Sequence, residues 1–155
     1  MRKPSSRNRT RGAALVEFAL IVPLLLLLVL GIIEFGVLMM HQLTLVQVAR
    51  EGSRHASLGR PVAEIEQRIT NTAGALPNHE ALQIDLSWSS NDGQTYDQTL
   101  GDIGAGEEND ALPGSLIKVT LGWPHQLITG SFFSWLSDPP ADTVPLRAEV
   151  VMRRE

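Results

Sequence analysis

Two carboxylates interrupt an otherwise apolar stretch of this chain. Glu17 and Glu34 are separated by sixteen uncharged residues, most of them Leu, Ile and Val. A charge at that depth in lipid costs a few kcal/mol, so an acid placed there implies a partner. The chemistry open to Glu17 is therefore pairing. Glu34 lies nearer one end of the stretch, where an acid either reaches the interface or pairs with a neighbour. Further on, Arg50 and Arg54 have the spacing of one helix face. Their expected role is interfacial anchoring, on lipid phosphates or on Glu51, and not catalysis.

Other reactive groups form no constellation. His41, His55, His79 and His125 are scattered, with no HExxH pattern and no pair at metal spacing. Asp102, Glu107, Glu108 and Asp110 share a Gly-rich loop without the EF-hand spacing, so a solvated acidic loop is expected in place of a Ca²⁺ site. Gly104 and Gly106 are not followed by Gly-Lys-Ser/Thr, and acids there would repel phosphate. There is no G-x-S-x-G elbow. The absence of cysteine removes disulfides, thiolate–zinc sites and a thiol nucleophile. The expectation is no enzyme, no catalytic residue, no metal and no cofactor.

The element that must position Glu17 and Glu34 is a helix. With those two excepted, Ala13 to Met40 is apolar over twenty-eight residues, and about twenty helical residues cross a hydrocarbon core. Leu24 to Leu30 are apolar all round, unlike a core helix of a small domain. The run is also longer than a secretory h-region, and no small-x-small site follows it. Pro23 is tolerated in a membrane helix. Residues 1–12 carry five basic side chains and no acid; the whole chain is −4, so the remainder carries −9. Basic residues beside a span stay on the cytoplasmic side. The reading is a single-pass protein of the lipid bilayer, N-terminus inside and acidic domain outside, with no nucleic-acid partner.

The chain divides into a basic cytoplasmic leader (1–12), a transmembrane helix (13–40), an amphipathic extension (41–60) and a small extracytoplasmic domain (61–155). The leader is Arg/Ser/Asn-rich and expected to be disordered or cytoplasmic. In the extension, Leu43, Val46 and Ala49 share one face, with Leu45 and Val48 beside them. Gly52 weakens its last turns, and Gly59 and Pro61 end it. A second helix runs from Pro61 to about Ala75, with Val62, Ile65 and Ile69 inward. Leu82, Ile84, Leu86 and Trp88 alternate as a strand. A turn at Asp92-Gly93, a weak strand over 95–100 and a loop over 101–114 follow. A strand from Ser115 ends at Pro124. The segment with Leu127, Ile128, Phe132, Phe133, Trp135 and Leu136 reads as a packed loop or short helix. Alternation from Thr143 to Arg153 marks the last strand. The predicted fold class is α+β: a long N-terminal transmembrane helix extending into a pilin-like domain, with an antiparallel sheet of three or four strands.

Gly12-Ala-Ala-Leu-Val-Glu17-Phe18 adds a second signal. A glycine closes the basic leader, and an acid stands fifth after it. This resembles the type IV prepilin cleavage pattern, with the cut between Gly12 and Ala13. More broadly, RGAALVEFALIVPLLLLLVLGIIEFG with VAREGSRHAS resembles the N-terminal signature of the TadE-like family of the bacterial Flp/Tad tight-adherence pilus system. Gly12, Glu17, Phe18, Pro23, Gly31, Glu34, Phe35, Gly36, Ala49, Arg50, Gly52 and Arg54 carry the match. The closing MRRE is similar to the family's last strand. The resemblance implies an inner-membrane protein, processed by a prepilin peptidase, that works with other pilins and pseudopilins in adhesion and biofilm formation. It implies that Glu17 pairs with the new amine of Ala13 in a neighbouring subunit. Flp pilins usually show Tyr after the glutamate and are much shorter. Phe18 and the length of this chain favour a minor, accessory pseudopilin. The other reading is an uncleaved signal-anchored envelope protein whose domain is a binding module.

Overall fold

A computed structural model describes residues 7–104, 106–128, 130 and 142–155, with backbone alone over 7–11. One continuous helix, α1, spans Arg7–Ser57. It runs through two compact units, residues 1–37 and 38–155.

In the first unit the helix has no core to pack against. From residue 12 to residue 37 no side chain is buried, and Leu, Ile, Val and Phe point outward on every side. Backbone bonding along α1 needs no neighbour, so the segment is satisfied without water. Among the described residues this is one helix long and apolar enough to cross a membrane. Among the described residues the helix starts at Arg7, inside the leader expected to be disordered or cytoplasmic. No glycine or proline interrupts residues 7–11, and extending an existing helix costs far less than nucleating one.

The second unit is α+β. Its four-stranded antiparallel sheet has the order β2-β1-β5-β6, with β1 Gln83–Ser89, β2 Gln98–Thr99, β5 Leu116–Gln126 and β6 Thr143–Arg153. Between β2 and β5 lies a two-residue hairpin, β3 Asp102–Ile103 and β4 Glu108–Asn109, where the sequence suggested only a loop. The alternation read from the sequence sets the sheet's inner face. Leu86, Ile117, Val119, Leu121, Trp123, Leu146 and Ala148 are buried there, and Ile84, Trp88, Val144 and Val150 pack at its margin.

The cover is the second half of α1 together with α2, Val62–Thr72. On α2 the inward residues are Ile65 and Ile69, as the spacing predicts, with Val62 packed beside them. On α1 the buried stripe is His41, Leu45, Val48, Ala49, Gly52, Ser53 and Ala56. Leu43, expected inward, is 62 % exposed. The stripe rotates onto Ala49, Gly52, Ser53 and Ala56 because small side chains allow close approach. A Cβ at Gly52 would stand 2.6 Å from Cγ1 of Ile69. Gly52 thus does more than loosen the helix: it makes room for α2.

Strand β5 also differs from expectation, running through Pro124 to Gln126. Pro124 lies opposite Pro145. Such a pair removes no ladder bond where the N–H positions point away from the partner strand. The pairing with β1 has already ended at Gln83 and Gly122. Phe132, Phe133, Trp135 and Leu136 lie outside the described residues. Just before them, Leu127 donates its N–H to the Asp142 carbonyl (2.8 Å), while Ile128 is largely exposed.

Candidate functional site

The residues singled out by the sequence fall into two separate settings. In the first unit, Gly12 and Ala13 are held in helical backbone, with open space where a Gly12 Cβ would stand. Glu17 and Phe18 follow on the exposed helix surface, Phe18 at 66 % exposure. Glu17 takes part in no salt bridge among the described residues. Glu34 is partly shielded and does interact within the structure. Residues 13 and 17 are four apart, about 6 Å along a helix axis, and so lie on one face of α1.

In the second unit, Arg50 and Arg54 project from the exposed face of α1 and form no salt bridge among the described residues. Glu51, weighed as their partner, is held elsewhere. Arg68 on α2 donates to its Oε1 from Nη2 (2.7 Å) and from Nε (3.0 Å), and His55 approaches at 3.6 Å. The Arg68 hydrogen bond is the main reason the Glu51 carboxyl lies below its ordinary range, with the charges of Arg68, His55 and Arg54 adding to it. Within AREGSR, then, Glu51 and Gly52 dock α2, Ala49 packs inward, and the two arginines remain outward.

The end of α1 is fixed by residues that sequence reasoning did not single out. Gly59 adopts φ +78°, turning the chain so that the N–H groups of Gly59 and Arg60 return to the carbonyls of Ala56 and His55. The fully buried Asn109 donates from Nδ2 to the carbonyls of Ala56 (3.0 Å) and Arg60 (2.9 Å), and its own N–H reaches Gly59. Arg154 closes the cluster from the last strand. Its Nη1 donates to the carbonyl and Oδ1 of Asn109 and to the Ala111 carbonyl, and its Nη2 pairs with Glu108 at 3.0 Å. No spacing rule joins residues 56, 109 and 154, so only the RRE ending offered a hint.

The acidic loop is structural. Asp102 Oδ1 accepts from the Val62 N–H (2.7 Å) and caps α2, whose N-cap, Pro61, has no side-chain acceptor. Asp110 accepts from the Gly101 N–H and Glu108 holds Arg154. Most of the acids expected to be solvated are therefore bonded to the protein. Among the described residues no group of three or more His, Cys, Asp or Glu is placed to hold a metal. The fold does join two of the scattered histidines: Nδ1 of His41 and Nδ1 of His125 are 3.0 Å apart and buried. They are 84 residues apart in sequence, beyond any local pattern.

Neither curated proteins nor solved structures provide a match to the chain. A protein-family model, described as TadE-like protein, matches residues 12–54. That stretch holds Gly12, Glu17, Glu34 and AREGSR, and over it the chain is similar to that family.

Proposed function

We propose that the protein is a minor pseudopilin or assembly protein of a Tad-type pilus, anchored in the bacterial inner membrane by residues 13–40. The TadE-like match supports an association with Tad pilus components in general. The observation that carries the finer reading is Glu17: a carboxylate on an all-apolar, outward-facing helix, with no salt bridge among the described residues.

In this reading the basic leader keeps the N-terminus in the cytoplasm, and the domain lies outside the membrane. A prepilin peptidase hydrolyses the Gly12–Ala13 bond, and the new Ala13 ammonium of one subunit meets Glu17 of the next. Pairing offsets the cost of an acid in lipid. A protease needs its substrate extended, so residues around 12 must unwind; glycine weakens a helix interior by about 1 kcal/mol relative to alanine. The outward Arg50 and Arg54 bind lipid phosphates. The protein is not an enzyme in this reading, and its role is structural.

The test is the intact mass of the membrane-extracted protein, made with and without the peptidase. Loss of residues 1–12 only with the peptidase is the expected result. Glu17→Ala is expected to be cleaved and yet fail to support piliation. Normal piliation by that variant would remove the role of Glu17.

A second reading draws on a shallow groove of about 590 Å³ on the outer face of the sheet, lined by Gln83, Asp85, Thr120, Pro124, Pro145 and Arg147. It makes the domain a binding module on an uncleaved anchor. A full-length mass under both conditions would favour it.

A further inference from the structure

His41 is the first buried residue of α1 after the apolar run ends at Met40. Its ring lies against β5, with Nδ1 3.0 Å from Nδ1 of His125. The Trp123 ring meets both imidazoles, at centroid distances of 5.2 Å to His41 and 5.8 Å to His125. His41 is 7 % exposed and His125 1 %. Beside this contact, Gln42 donates to the Arg147 carbonyl (2.9 Å) and ties the same turn to β6.

Two nitrogens at that distance share one hydrogen, because one must donate and the other accept. A first added proton goes to the second nitrogen of the donor ring and leaves the shared hydrogen in place. A second must go onto the accepting Nδ1. Two N–H groups then point at each other and two positive charges face one another in a buried site. We propose that the His41–His125 pair is an acid-sensitive latch, which fastens the first packed turn of α1 to β5 at neutral pH and releases it when both rings are protonated.

The surroundings favour release over compensation at His41. On α1 no charged residue lies between Glu34 and Arg50. On the sheet, Asp85, Lys118, Arg147 and Glu149 occupy positions that alternate with the inner face and so stand on its other side. His79 and Glu80 follow Asn78, whose carbonyl accepts from the Trp123 indole. Asp142 meets the start of the loop after β5 through its carbonyl. Burial, and then the charge of His125, hold His41 below its ordinary 6.5. The released form therefore binds more protons below about pH 6.5. The latch is at full strength above that value and weakens as pH falls through it.

The test uses the full chain in detergent micelles. The thermal midpoint of the domain is expected to fall by about 5 °C between pH 7.5 and pH 5. Most of that fall should disappear in His41→Phe and in His125→Phe. An equal fall in both variants would overturn the latch. Should neither variant fold, ring NMR of the unaltered chain decides. His41 must titrate below a free histidine, with the Trp123 indole resonance moving in the same step; titration at or above 6.5 would overturn the proposal.

Discussion

Leu26 and Leu45 lie on one helix, yet Leu26 is 56 % exposed and Leu45 is fully buried. Around Leu26 every neighbour is also apolar and outward. Around Leu45 the helix carries polar residues on one side and Ala49, Gly52 and Ser53 on the other, against α2 and the sheet. The first unit presents an apolar surface on every side, and demands little of most of its side chains beyond being apolar. The second unit creates its own interior and demands particular volumes. The TadE-like segment, residues 12–54, spans both regimes.

The contrast is broken most directly by swapping demands. Ile117→Ala, in the buried sheet, is expected to cost about 2–5 kcal/mol through lost burial and a residual cavity, read in the thermal unfolding of the domain. Leu27→Ala in the first unit should leave membrane retention, measured by alkaline extraction, unchanged. Were both equally harmful, the two regimes would not differ. Conversely, Leu26→Arg is expected to lower membrane insertion by about 2.5–3.5 kcal/mol, while leaving the domain's unfolding midpoint in place.

Smaller effects sharpen the picture within the domain. Gly52→Val must displace Ile69, and overpacking of this kind costs about 1–3 kcal/mol; Gly52→Ala combined with Ile69→Val should recover part of it. Asn109→Ala leaves the carbonyls of Ala56 and Arg60 without its amide, an expected loss of about 1–3 kcal/mol, visible as faster hydrogen exchange at the end of α1. Glu51→Gln weakens the pair with Arg68, which is half exposed, so the effect should be below about 1 kcal/mol. That contribution is present at neutral pH and fades as pH falls through the carboxyl's lowered value, because the unfolded carboxyl takes its proton first.

Much of the architecture was legible in the residues. The length and uniformity of the apolar run marked α1. Val62, Ile65 and Ile69 marked α2, and strict alternation marked β1, β5 and β6. These are short-range patterns, set by 3.6- and 2-residue periods. The misreadings have local causes too. Hydrophobicity alone points Leu43 inward, but small residues a third to a half of a turn round the helix, Ala49, Gly52 and Ala56, let that other face pack closer. Pro124 reads as a terminator in the sequence, although it faces Pro145 and the ladder runs two residues further.

What the sequence by itself determined is the division of the chain. A long apolar run broken by two acids, with a basic flank and AREGSR, already marks the TadE-like segment, because compatibility with lipid depends on composition and length. What only the tertiary structure decided is which polar residues meet. Asn109 and Arg154 pin the end of α1, Asp102 caps α2, and His41 faces His125. Each contact joins residues 40 or more positions apart. No period encodes such pairs, and the order in which strands and helices stack is what brings them within hydrogen-bonding distance.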